Sequence, residues 1–384
     1  MIIDFVGKFY DNHSLSIINR NLAIKLADLF PDWEISITPL DSYDPECKLD
    51  KNIVKQLKTL EQAETGEPDI QVRHSYPPIW QWPASDRTKI IFIQPWEYLK
   101  APFEWQYKFE TFADALIVPS KYVANVFTGA GLKPDNLFVV PNGYNEELFN
   151  TDEENSESKY IDKSKFNFVY VGNSQWRKGL DILMNSWKVA FKKFDNATLT
   201  VKDNPKIYGQ SNILNEIIKM QYKTGCSDVQ YIDDDLSDKE MAALFKASDI
   251  LLHPYRAEGF GMHVQEAMAC GCIPLVSELG PTDDFVNADN GFKIPVTKKS
   301  VNITDLNVFA MKPGDAMTGM STHTFYNEPN SDALTNGIKM IYHSHNKAEE
   351  IYSKKDNINM VNTWDKIAED YVSVFEEVSA RQNI

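Results

Sequence analysis

The chain has 384 residues, 43% of them hydrophobic, 24% charged and 12% aromatic, with 39 Lys plus Arg against 55 Asp plus Glu and a formal net charge of −16. That balance excludes a disordered chain, and the shortage of clustered Lys and Arg excludes a nucleic-acid-binding face. The length predicts two domains with a ligand cleft between them; no apolar run nears the ~20 residues of a spanning helix, and no basic leader precedes MIIDFVGKFY, so a cytoplasmic protein is expected.

In chain order, Ile2 to Val6 predicts a first strand, Gly7 a turn, and Ile18, Leu22, Leu26 and Leu29 an amphipathic helix. Further short apolar runs predict strands at Glu34 to Thr38, Ile70 to Arg73, Lys89 to Ile93, Ala115 to Val118 and Leu137 to Val140. Strands alternating with helix-length segments point to an α/β domain with a mostly parallel sheet. The polar, acidic stretch NTDEENSESKYIDKSK then reads as a linker. A second α/β series starts with a strand at Phe168 to Val171 and a helix marked by Leu180, Met184, Trp187 and Phe191. Strands follow at Thr198 to Val201, Val229 to Ile232, Ile250 to Leu252 and Ile273 to Val276, and an amphipathic helix over Trp364 to Val378 is expected to pack on the body. The expected boundaries are 1–150, a linker at 151–165, 166–360, and a C-terminal helix in 361–384 crossing back to the first domain. Cys47, Cys226, Cys270 and Cys272 have neither paired nor zinc-ligand spacing and are expected to be reduced structural thiols.

Two segments carry the chemistry. EGFGMHVQE sets Glu258 in a glycine turn and Glu266 eight positions on, along a helix that stops at Gly271. A helix start beside such a turn offers free backbone N–H groups to a phosphate, and carboxylates beside it accept hydrogen bonds from hydroxyls. Phosphate plus hydroxyls suggests a sugar nucleotide. The loop VGNSQWRKGLD puts Arg177 and Lys178 just before a helix, at the C-terminal end of a sheet strand, where ligands bind in open α/β sheets. The acidic triplet Asp233 to Asp235 invites a metal reading, but it leads into Ser237-Asp238-Lys239-Glu240, a capping box that explains acidic residues through the helix dipole.

With these residues in hand, the second half resembles the donor domain of a family 4 glycosyltransferase, in the strand-G-x-x-x-x-R-K-G-x-D run at 172–181, the EGFG turn and the spacing of the two glutamates. DALIVPSKYVANVFTGAG, VVPNGYNEELF and NTWDKIAEDY resemble further family segments, so the likeness runs from about residue 88 to the end. The resemblance implies a GT-B fold, two Rossmann-like α/β/α domains facing a cleft, and a retaining transfer from a nucleoside-diphosphate sugar to a carbohydrate or carrier-linked acceptor, with no cofactor and no metal. It implies that Arg177, Lys178 and Glu258 are catalytic, the basic pair stabilising the departing diphosphate and Glu258 positioning the sugar, while Glu266 takes the ribose. Gly7, Asn173, Gly259, Phe260, Gly261 and Met262 complete the implied donor set. An epimerase of the same fold and a non-catalytic sugar-nucleotide binder are the alternatives.

His263 stands where the family usually has proline, Gly7 is alone where a glycine pair is common, and Gln94-Pro95-Trp96-Glu97 replaces a histidine-bearing stretch. The acceptor-side candidates are therefore His13, His74, Trp96 and Glu97, with Trp80, Trp82 and Trp105 read as stacking faces or packing aromatics. No transmembrane segment is expected, and an acidic average leaves room for a local peripheral membrane contact.

Overall fold

Strands buried on both faces of a parallel sheet must be apolar throughout, and every strand read from the sequence is present, with ends moved by one or two residues. The structure, a computed structural model, describes residues 1–45, 47–152, 154, 156–205, 212–302, 323–344 and 349–381. These form two compact units, one holding Met1–Gly143 and the chain from Val361 onward, the other Tyr144 through Met360.

The first unit contains β1 (Ile2–Gly7), α1 (Ser14–Leu29), β2 (Glu34–Pro39), α2 (Lys51–Glu61), β3 (Ile70–His74), β4 (Lys89–Ile93), α3 (Phe103–Phe112), β5 (Ala115–Val118), α4 (Lys121–Gly129) and β6 (Leu137–Val139). Its parallel sheet has the order β2-β1-β3-β4-β5-β6, so the winding reverses between β1 and β3.

The second unit contains β7 (Phe166–Val171), α5 (Leu180–Ala190), β8 (Ala197–Lys202), α6 (Ile213–Thr224), β9 (Val229–Ile232), α7 (Asp238–Lys246), β10 (Ile250–His253), α8 (Met262–Ala269), β11 (Ile273–Ser277), β12 (Phe292–Ile294), β13 (Val296–Asn302), β14 (His323–Pro329), α9 (Ser331–Ser344) and α10 (Glu349–Asp356). Its parallel sheet runs β12-β11-β10-β7-β8-β9, reversing between β7 and β10, while β13 and β14 form a separate antiparallel pair. The core gathers around Trp187, fully buried against Phe168 and Phe191, with its indole N–H donating to the Ser227 carbonyl at 3.2 Å.

The last helix, α11 (Trp364–Ala380), lies in the first unit, with Trp364, Ile367, Ala368, Tyr371 and Phe375 buried and Lys25 paired to Asp365 at 2.5 Å. The expected linker differs from what is observed. Tyr144 and Phe149 pack into the second unit's core, Lys246 Nζ donates to Asn150 Oδ1 at 2.8 Å, and the Tyr160 hydroxyl donates to Asp234 at 2.9 Å, so the described part of 144–165 is fastened to that unit. The unit boundary moves to Gly143–Tyr144 because two aromatic residues outweigh the polar composition around them. None of the four cysteines is in a disulfide; Cys226, Cys270 and Cys272 are buried, and burial pushes the Cys270 thiol up to about 12.

Candidate active site

Parallel sheets bind ligands beyond the carboxyl ends of their strands, where the winding reverses. In the second unit this is the gap between β7 and β10, and the two segments singled out in the sequence leave the sheet there. After β7 the loop is fixed from within: the Tyr170 hydroxyl donates to the Asn173 carbonyl at 3.0 Å, and Asn173 Oδ1 accepts the Gln175 N–H at 3.0 Å. Asn173 is 4% exposed and supports the loop from below. A single 3₁₀ turn, Trp176–Lys178, then carries the basic pair and ends at Gly179, whose φ of +76° and approach to the Pro254 carbonyl admit no side chain. The Arg177 carbonyl accepts the N–H groups of Arg256 at 2.7 Å and Ala257 at 3.3 Å, joining the turn to the segment after β10.

Glu258 is the electrostatic centre. It is 8% exposed; Oε2 pairs closely with Lys178 Nζ, lies 3.4 Å from His253 Nε2 and 4.0 Å from Arg177 Nη1, while Oε1 accepts the Gly259 N–H at 3.0 Å. Burial alone raises a carboxylic acid's pKa, but Lys178, His253 and Arg177 outweigh it and hold Glu258 well below the usual carboxylate range. Burial pushes His253 the other way, down to about 4 against the opposing pull of Glu258, so the ring is neutral and donates from Nε2. Glu266 contrasts with Glu258. On α8, with His263 Nδ1 3.3 Å from its Oε2, its pKa is raised, because burial outweighs that one partner. Helix α8 starts from Gly261 (φ +96°) without a side-chain cap, beside Met262, while Phe260 is buried against Phe285 at 5.4 Å. Seven of the predicted donor residues, Asn173, Arg177, Lys178 and Glu258 to Gly261, therefore lie on the connections after β7 and β10, with Met262 and Glu266 on α8; Gly7 belongs to the first unit.

On the first unit lie the donor candidate Gly7 and the acceptor-side candidates, which divide. Gly7 ends β1 directly beside His74 at the end of β3, at the first sheet's reversal point. Asn19 Nδ2 donates to the Lys8 and His74 carbonyls at 3.0 and 3.2 Å, leaving its Oδ1 to accept from His74 Nδ1 at 2.8 Å; a Cβ on Gly7 would lie 2.3 Å from that amide nitrogen. His13 caps α1, its Nδ1 accepting the Leu15 N–H at 3.3 Å. Glu97 is half-buried, its carbonyl accepting from the Tyr122 hydroxyl at 2.8 Å. Trp96 is corrected: its ring is 1% exposed, packed against Tyr98 and Trp105, with the indole N–H on the Lys100 carbonyl, so it offers no face to a sugar. Trp82, by contrast, is 66% exposed. At Asp233 to Asp235 the capping box on α7 is formed, with Ser237 Oγ accepting the Glu240 N–H and Glu240 accepting the Ser237 N–H.

The sequence reading missed His253 and Arg256. His253 had a signal, a polar residue closing the apolar strand ILLH; Arg256, within PYRAEG, had none.

The two buried histidines set a pH dependence. Burial, with some repulsion from His13, pushes His74 down to about 3, and His253 sits at about 4, whereas an unfolded histidine titrates near ~6.5. As pH falls below ~6.5 the unfolded chain takes up protons that the folded chain refuses, so stability is full above that value and is lost progressively down to the folded pKa values, at up to about 1.4 kcal/mol per pH unit for each ring. Denaturant midpoints should therefore drop between pH 6.5 and 4.5, and His74→Asn should flatten the drop. A profile unchanged by that substitution would remove His74 as a cause.

Comparisons with known proteins bear on the fold and on the second unit's relatives. Residues 151–304 match the family of glycosyl transferases group 1. An uncharacterized glycosyltransferase of Methanocaldococcus jannaschii is 27% identical over 192 residues, covering 49% of this chain and 48% of that protein. The MMP alpha-(1→4)-mannosyltransferase of Mycolicibacterium hassiacum is 25% identical over 189 residues, covering 49% and 43%. The chain thus spans about half the length of these curated relatives. HepE of Anabaena, solved in complex with UDP and glucose, superposes with a TM-score of 0.66 at 15% identity, covering 98% of this chain and 100% of that one. Among the described residues no helix is long and apolar enough to cross a membrane. The chain has a GT-B fold and carries a glycosyltransferase group 1 domain, with glycosyltransferases among its relatives.

Proposed function

We propose that this chain is a retaining, metal-independent glycosyltransferase of family 4 that moves a hexosyl or N-acetylhexosaminyl group from a nucleoside-diphosphate sugar to a carbohydrate or carrier-linked acceptor, in the cytoplasm. The observation that carries the reading is the meeting of Arg177, Lys178 and Glu258 at the reversal point between β7 and β10. As the glycosidic C–O bond breaks, its electron pair moves onto the terminal phosphate oxygen, and two fixed cations meet the growing charge without reorganising. They serve where a divalent cation would otherwise be needed. The uncapped start of α8 adds backbone donors for the diphosphate, Glu258 holds Lys178 in place and accepts from a sugar hydroxyl, and Glu266 takes the ribose. Glu258, held ionised by its cationic partners, is unsuited to deliver a proton. On the first unit, His13, His74 and Glu97 are the residues offered for the acceptor, and Gly7 is offered for the donor.

The test is turnover of UDP-glucose, UDP-N-acetylglucosamine and GDP-mannose in excess EDTA with a panel of sugar acceptors, reading nucleotide release and the anomeric configuration of the product by NMR. Activity in EDTA with retention is expected. A strict need for Mg or Mn, or an inverted product, overturns those parts of the reading; conversion of the donor to an epimer without acceptor makes the chain an epimerase, and binding without turnover makes it a binder.

A further inference from the structure

We infer that Arg256 is a positioning residue for the basic pair, locking the Arg177-Lys178 turn against the β13–β14 hairpin. The inference rests on the proposed role of that pair toward the donor diphosphate.

The guanidinium of Arg256 has five N–H bonds, and each has a protein acceptor. Nε donates to Glu328 Oε2 at 2.8 Å and Nη2 to Glu328 Oε1 at 3.3 Å; Nη1 and Nη2 donate to the two oxygens of Asp181, each at 2.7 Å; the remaining Nη1 bond goes to the Trp176 carbonyl at 2.7 Å. No donor is left for a phosphate, so Arg256 acts through the residues it holds. Those residues surround the basic turn: Trp176 is its first residue and Asp181 lies in the first turn of α5 immediately after it. Glu328 comes from β14, and the main chain of Arg256 continues the connection, its N–H on the Arg177 carbonyl at 2.7 Å and its carbonyl accepting the Asn327 N–H at 3.0 Å. The ring of Trp176 lies under the guanidinium at 4.3 Å and meets Tyr326 of β14 edge-on at 4.7 Å. The hairpin, which no sequence motif marked, thereby braces the one turn that carries both cations.

A second consequence is electrostatic. Asp181 and Glu328 would stand as two negative charges beside an anion-binding turn; Arg256, with its side chain 5% exposed, binds both carboxylates and offsets one of the two charges. A lysine keeps the charge and loses the fork, since an ammonium has three donors where five are used.

The experiment compares Arg256→Met, Arg256→Lys and Glu328→Gln with the unaltered protein, measuring UDP and GDP affinity by calorimetry and kcat and KM with UDP-glucose and GDP-mannose. Lys178→Ala serves as the control for the underlying reading. Arg256→Met should lower donor kcat/KM by about 10- to 100-fold, with Arg256→Lys recovering part of the loss and Glu328→Gln giving a smaller one, as expected for a group acting through its neighbours. Glu328→Gln leaves the Asp181 contacts in place, so it tests the brace even where Arg256→Met fails to fold. If the folded variants keep their nucleotide affinity and kcat, the brace is overturned while a defective Lys178→Ala still upholds the basic pair. If neither nucleotide binds the unaltered protein, or Lys178→Ala is fully active, the donor reading falls and the inference with it.

Discussion

Lys178→Ala is expected to lower kcat for donor turnover by about 10²- to 10³-fold, the usual effect of removing one preorganised group that meets transition-state charge. The side chain is 12% exposed, so its charge is poorly screened and water cannot replace it. Stability should fall as well, because Glu258, whose side chain is 10% exposed, loses its closest counter-ion, and breaking a buried pair from one side costs about 3–5 kcal/mol. The two effects can be separated. Adding Glu258→Gln to Lys178→Ala removes the uncompensated charge and should restore most of the denaturant midpoint, while kcat stays low. A single variant with near-normal kcat would eliminate Lys178 from the chemistry; a double variant that regained turnover would show that the single one failed only through misfolding.

Gly179→Ala is expected to destabilise the second unit by more than about 3 kcal/mol, well beyond the ordinary effect of a surface substitution. Part of this is conformational, since φ of +76° is a left-handed backbone that an L side chain adopts at about 1–2 kcal/mol. The larger part is steric: an added Cβ would lie 1.8 Å from the Pro254 carbonyl oxygen. That oxygen cannot retreat alone, because Arg256 and Ala257 just beyond it both donate to the Arg177 carbonyl. Gly225→Ala is the matched comparison, with φ of +56° and nothing within 4 Å of the added carbon. Urea unfolding of both variants decides the point, since equal losses would leave only the backbone conformation as a cause.

How much of this was legible in the sequence depended on how each element is buried. Strands such as β7, FNFVYV, are enclosed on both faces and read as unbroken apolar runs. The helix α2, KNIVKQLKTLE, carries Ile53, Val54, Leu57 and Leu60 at helical spacing, although only Leu57 is fully buried. Strand β13, VTKKSVN, is exposed along its middle and shows no alternation of apolar and polar residues, which is why the hairpin went unpredicted. At the site, glycine spacing singled out Glu258, yet its pairing with Lys178 spans 80 residues and follows only from the strand order β7-β10. Arg256 has partners 75 and 72 residues away and no local pattern to mark it. The aromatic residues misled for a different reason: Trp82 and Trp96 look alike in sequence, and only packing leaves one in solvent and encloses the other.

The Lys178–Glu258 contact also bears on which anions the basic pair can take. With His253 neutral, Arg177 and Lys178 face Glu258, and Arg256 carries one positive charge against the two acids Asp181 and Glu328, so the local charge is about zero and not +2. Every incoming anion must compete with a carboxylate already seated on Lys178. Chloride or a single phosphate brings too little charge and too few acceptors to win that exchange readily, while a diphosphate reaches both cations at once. On the proposed donor reading, Glu258 is thus a resident competitor for Lys178, and a diphosphate should displace it more readily than a smaller anion does.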